Sequence, residues 1–136
     1  DKPHDRIELL QEINFGDYEM KTHEELKGSG EYQRWRRDKS GLLMPPGGES
    51  LNMFSERILK GYEELRSQHA LKELSVRHSG REAMSVVVCH GGSISAILYH
   101  LFPKQCQGNL YYWIPDPGHG YVLQLEDEAV TDLKKF

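Results

Sequence analysis

The residues best suited to chemistry in this chain lie in Met84–Ser93, where Val86-Val87-Val88-Cys89 runs directly into His90-Gly91-Gly92-Ser93. A short unbroken apolar run rich in β-branched side chains is the pattern of a strand buried on both faces. Behind it Ile94, Ile97, Leu98 and Leu101 follow a helical spacing. A strand that hands over to a helix through His-Gly-Gly presents an imidazole and free backbone N–H groups at the carboxyl end of a sheet, where open α/β folds bind ligands. The first turn of the helix favours an anion there, and glycine lets the backbone approach a ligand closely. His90 is therefore the expected chemical centre. The plainer reading is a hydrogen-bonded structural histidine whose two glycines only make the turn.

Other chemistries lack their residues. Cys89 alternates to the opposite side of the strand from His90, so the two cannot chelate one ion. No two of the seven histidines have the i, i+4 spacing of a helical zinc site. No metal and no cofactor is expected. A His-Gly-Gly run can build an oxyanion hole in lipases, but the chain has no Gly-x-Ser-x-Gly elbow to supply a serine nucleophile. It has no Gly-x-x-x-x-Gly-Lys phosphate loop either.

At 136 residues the chain is expected to form one domain over 1–136, burying roughly two-thirds of its unfolded surface. A formal charge of −4 gives no general attraction to nucleic acid or to an anionic membrane, so any phosphate recognition must come from local donors. No run approaches the ~20 apolar residues that span a bilayer. Two cysteines cannot make a disulfide framework, which favours a reducing compartment, the cytoplasm. The chain opens at Asp1 without methionine, and an upstream segment is expected to have been lost.

Several elements must position His90. Asp1–Arg6 is polar, with Pro3 breaking any regular element, and Gly16-Asp17 marks a turn after an ordered loop that contains Glu12. Thr22 and Glu25 form a capping box for a short helix ended by Gly28-Ser29-Gly30. Glu31–Lys39, with Tyr32, Trp35, Arg34, Arg36 and Arg37, reads first as one or two helical turns with a solvated basic face and an aromatic anchor. Ser50 caps a long helix whose apolar face is Leu51, Phe54, Ile58, Tyr62 and Leu65, weakened at Gly61 and closed by His78-Ser79-Gly80. The helix after His90 is stopped by Pro103, and Lys104–Asn109 is a turn or short helix. Tyr121–Leu125 alternates as a half-buried strand that turns through Glu126-Asp127-Glu128 into a hairpin partner, Ala129–Leu133.

Three of these stretches together resemble the histidine phosphatase, or phosphoglycerate mutase-like, superfamily. Leu10–Glu19 with Thr22–Glu25 is similar to the segment that supplies the family's catalytic acid; Pro46-Gly47-Gly48-Glu49-Ser50, with Arg57 in the helix behind it, is similar to its Pro-x-Gly-Glu-Ser motif; Val86–Gly92 is similar to the strand that delivers its second active-site histidine. The resemblance is closest to the cofactor-independent phosphatases, although Trp35-Arg36-Arg37 is similar to substrate-binding arginines of the mutases. It implies a three-layer α/β/α fold with a mostly parallel sheet, and a phosphomonoester hydrolase acting through a phosphohistidine. Carried over by position, Glu12 is the general acid and then the base that activates water. His90 and the Gly91 N–H hold the phosphoryl group, and Arg36 or Arg37 reads the leaving group of a small phosphorylated metabolite.

The chain departs from the family pattern at two points. The Arg-His-Gly motif that carries the nucleophile is absent, so the fold is expected to lack its first strand and the helices that follow, and the 136 residues alone are expected to be inactive. The uncovered edge then invites self-association or pairing with a separate N-terminal segment. Met20 stands where the family usually has glycine and is expected to reshape the pocket mouth. The alternative is a non-catalytic protein of this fold that binds phosphate or another anion at His90 and Gly91, or serves as an assembly surface.

Overall fold

The computed structural model describes residues 4–126 and 129–136. In chain order, after a 3₁₀ turn at Glu8–Leu10 and another at Gly16–Tyr18, come helices α1 (His23–Leu26), α2 (Gly30–Arg37), α3 (Leu51–Val76), α4 (Gly91–Leu101) and α5 (Pro103–Cys106), then strands β1 (Tyr121–Glu126) and β2 (Ala129–Lys135). Pro3 and the Asp127-Glu128 turn residues lie outside the described residues.

The long helix is the frame. Ser50 accepts a hydrogen bond from the Met53 N–H and opens α3, whose buried face is Phe54, Ile58, Gly61 and Tyr62, as the spacing predicts. Each fully buried side chain on that face contributes about 1.5–3 kcal/mol. Leu10 and Ile13 from the N-terminal segment and Ala96 and Ile97 from α4 close the core against it. Gly61 has a packing reason: a Cβ there would lie 2.8 Å from Leu10 Cδ2 and 2.9 Å from Leu9 Cβ, so only glycine admits the Glu8–Leu10 turn to the helix surface. The capping box of α1 forms as expected between Thr22 and Glu25. In α2, Tyr32 is buried and the arginines are exposed, the solvated basic face with its aromatic anchor. Phe15 and Tyr18 lock the preceding turn onto it, with Phe15 edge-on to Trp35 at 6.0 Å and Tyr18 edge-on to Tyr32 at 5.2 Å.

Two expectations are corrected. Val86–Cys89 is not a buried strand: residues 81–90 carry no strand pairing, and Val86 and Val88 are 83% and 94% exposed. A strand exists through its ladder, and no described segment lies beside this one to supply partners. It is held instead from one side by α3, through the Lys72 ammonium on the Met84 carbonyl (3.0 Å) and His69 Nδ1 against the Ser85 hydroxyl (2.9 Å). Nor is there a parallel sheet among the described residues, whose one sheet is the antiparallel β1–β2 hairpin. Pro103, expected to end a helix, also begins one, at the first turn of α5, where its missing N–H costs nothing.

Met20 has a positive φ of 59° and a fully exposed side chain. It points into solvent instead of narrowing a pocket, and its backbone sits where glycine is favoured. Met20→Gly should raise stability by about 0.5–1 kcal/mol, read as a higher urea midpoint at unchanged slope. A lower midpoint would show that the side chain packs on something.

Candidate active site

The site is assembled from the loop of Glu12, the motif before α3 and the start of α4. Arg57, one turn and a half into α3, is its fastener. Its Nη1 donates to the carbonyls of Leu9 (2.8 Å) and Gln11 (3.0 Å), and its Nη2 donates to the carbonyl of Glu12 (3.2 Å). The same guanidinium is forked onto Glu49, with Nε to Oε2 at 3.1 Å and Nη2 to Oε1. Glu49 in turn accepts from the Asn14 N–H (3.0 Å), while its own N–H donates to the Asn14 carbonyl (2.9 Å). A planar fork with five donors suits this work, because carbonyls at three successive angles and one carboxylate are satisfied by a single rigid group.

From the other side α4 takes hold of the same loop. The buried Ser93 hydroxyl donates to the Gln11 carbonyl at 3.2 Å. The Gly92 N–H donates to Glu12 Oε2 at 3.1 Å, and the Ile13 N–H donates to Oε1 at 2.9 Å, so both carboxylate oxygens are fixed by backbone. The approach requires glycine: a Cβ on residue 92 would sit 2.3 Å from Glu12 Oε1.

His90 is the N-cap residue of α4, with extended backbone, and its side chain makes no cap hydrogen bond. The imidazole is exposed. Its own carbonyl accepts the first intrahelical bond, from Ile94 (3.0 Å). The first N–H groups of a helix have no intrahelical partner; here Gly92 spends one on Glu12, and Gly91 presents another beside the histidine. Cys89 next to it is a poor nucleophile, since burial pushes its thiol pKa up and the Glu12 charge pushes it further.

The arrangement thus brings Glu12, His90 and Gly91 to one end of α4, across 80 residues of chain. The two arginines lie on α2, where Arg36 has other partners. Arg36 Nη1 lies against His23 (3.0 Å to Nδ1) with its guanidinium carbon 5.9 Å from the Tyr32 ring centre, and Arg37 is exposed in the last turn of α2. Sequence reasoning noticed Arg57 and Glu49 only as parts of a motif. Their spacing of eight, two turns along a helix from its entry, was the available signal for a fork. Gly92 is marked in the sequence as a place of close backbone approach, but its partner Glu12 and the partner of Ser93, Gln11, leave no local pattern across 80 and 82 positions.

The chain belongs to the histidine phosphatase superfamily (branch 1), whose family model matches residues 1–134. A 2,3-bisphosphoglycerate-dependent phosphoglycerate mutase of Cytophaga hutchinsonii is 34% identical over 97 residues, which cover 69% of this chain and 40% of that enzyme's length. No solved structure matches the chain.

Removing Arg57 leaves Glu49 and three carbonyls short of a donor. Arg57→Ala should cost about 2–4 kcal/mol in chemical denaturation; a loss under about 0.5 kcal/mol would mean that solvent replaces the fork. The pH dependence has a definite sign. Burial by itself pushes the Glu49 carboxyl up, but the Arg57 hydrogen bond, the Asn14 N–H and the Arg57 charge outweigh it and hold the pKa below the usual value. A depressed folded-state pKa gives stability that is present at neutral pH and lost as pH falls through it. Stability should decline below the ordinary glutamate value of about 4.3, and Glu49→Gln should flatten that acid limb.

Proposed function

We propose that the complete protein transfers the phosphoryl group of a small phosphorylated metabolite to water through a phosphohistidine, with the nucleophilic histidine supplied from outside these 136 residues. The observation that carries this reading is the Glu12 carboxylate held on the Gly92 N–H, at the helix end where the exposed His90 and the Gly91 N–H stand side by side. Such a site needs no metal. Phosphoryl transfer asks for positioning and charge neutralisation more than for covalent chemistry, and the donors here are fixed before substrate arrives.

In the first step the outside histidine bonds to phosphorus, the bond to the leaving oxygen breaks, and the Glu12 carboxyl gives that oxygen its proton. In the second, the Glu12 carboxylate takes a proton from water as the water oxygen bonds to phosphorus, the bond from phosphorus to the histidine nitrogen breaks, and inorganic phosphate is released. His90 donates to a phosphoryl oxygen in both steps, with the Gly91 N–H beside it. On this reading Met84–Cys89 is a strand of a mostly parallel sheet in a three-layer α/β/α fold, paired with a strand that comes with the nucleophilic histidine. Its four bare apolar side chains, Met84, Val86, Val87 and Val88, support that reading. The relative's name favours a mutase as the second possibility, in which the phosphohistidine passes its phosphoryl group to a second hydroxyl instead of to water. A cytoplasmic setting suits a phosphorylated metabolite.

Hydrolysis of para-nitrophenyl phosphate by the complete protein tests the assignment. Glu12→Gln should lower kcat about 10²–10⁴-fold, and His90→Ala about 10²–10³-fold. Gly92→Ala, which pushes the carboxylate away, should behave like Glu12→Gln. Turnover by the 136 residues alone would contradict the outside nucleophile. Phosphate binding without turnover by the complete protein would favour the anion-binding alternative.

A further inference from the structure

The turn that follows α5 folds back onto α4. The Ser95 side chain, fully buried, donates to the Leu110 carbonyl at 2.6 Å and accepts from the Trp113 N–H at 3.0 Å. One hydroxyl therefore staples both ends of Leu110–Trp113 to α4. Inside the turn the Tyr111 N–H donates to Asn109 Oδ1 (3.0 Å), and the Tyr112 N–H donates to the Asn109 carbonyl (3.2 Å). Trp113 is held from the far side, its indole N–H on Cys106 Sγ (2.9 Å) and its ring edge-on to Tyr121 at 5.8 Å. This is a rigid segment.

What it places at the site is apolar. Ile114 Cγ2 lies 3.1 Å from the position a Cβ of Gly91 would occupy, so this side chain stands directly beside the residue whose N–H faces the phosphoryl group. Tyr111 is near enough to Glu12 to feel its charge: burial raises the phenol pKa first, and the Glu12 carboxylate raises it further. Yet Tyr111 and Ile114 are 48% and 46% exposed, half of each side chain bare to solvent. Arg36, which the family resemblance offers for the leaving group, is engaged with His23 of α1 and Tyr32 of α2.

We propose that Tyr111 and Ile114 form the wall against which the leaving group rests, and that the site takes phosphomonoesters whose leaving alcohol carries an aromatic or similarly flat apolar group. The inference rests on the phosphoryl-transfer reading above and adds the substrate class to it. A ring laid against this wall covers the bare halves of both side chains without asking for a counter-charge. A carboxylate or second phosphate in the same place meets no cation on the wall. The preorganised turn adds no ordering cost when the ring arrives.

The test is kcat/KM of the complete protein on benzyl phosphate, glycerol 3-phosphate and 3-phosphoglycerate. All three release a primary alcohol, so a preference reports on binding of the leaving group more than on its reactivity. Benzyl phosphate should be preferred by about 10- to 100-fold, the worth of burying one ring face. Tyr111→Ala and Ile114→Ala should each reduce that ratio several-fold, chiefly through KM, while Tyr111→Phe, which keeps the ring, retains it. A ratio near or below one, or a ratio that neither alanine moves, overturns the wall and leaves the phosphoryl-transfer reading standing. No turnover of these three or of para-nitrophenyl phosphate overturns that reading, and the inference with it.

Discussion

Everything in this structure that bears on function depends on one guanidinium. Arg57 projects from the middle of the first half of α3 onto the Glu8–Leu10 turn and the irregular loop behind it, and satisfies the carbonyls of Leu9, Gln11 and Glu12 while forked onto Glu49. A loop backbone bent sharply enough to aim a carboxylate leaves its carbonyls pointing inward, and those groups must be paired or the bend is lost. Taking an arginine partly out of water is itself costly, and Glu49 offsets that cost by sharing the charge. Neither partner would be stable there alone.

The second constraint is the meeting of this loop with α4. A Cβ on residue 92 would displace the Glu12 carboxylate, and the Gly92 N–H goes to that carboxylate instead of to solvent. A carboxylate is thereby placed at a helix start, where unpaired backbone N–H groups favour negative charge. The two glycines differ in what they do: Gly92 fixes the carboxylate through its N–H, and Gly91 stands in the first turn of α4 beside His90. The chain belongs to the histidine phosphatase superfamily and spans 40% of the length of the mutase it matches.

Helices were legible in the sequence because each announces itself within a few residues. Ser50 and the Leu51–Leu65 stripe mark α3, Thr22 and Glu25 cap α1, and the Tyr121 and Ala129 segments alternate into a hairpin. Val86–Cys89 misled for a physical reason: composition reports that a segment wants burial, whereas a strand needs a neighbour, and the neighbour is not a local property. His90 and Gly91 stand out from the His-Gly-Gly handover itself, Glu12 only by resemblance to a family, and the means by which they meet leaves no mark in the sequence. Arg57's reach to Leu9, Gln11 and Glu12 spans more than 44 positions, and Ser95's staple joins residues 15 and 18 apart. Met20 is the opposite case, since the family's glycine at that position anticipates the positive φ found there.

The account is tested most directly at the amide of Gly92. Followed by proton–nitrogen NMR at neutral pH, its proton should lie downfield, as that of an amide donating to a carboxylate does, and should move upfield in Glu12→Gln, where the acceptor is neutral. A Gly92 amide that Glu12→Gln leaves unmoved would mean that the carboxylate is not held at the start of α4, and the account would fail.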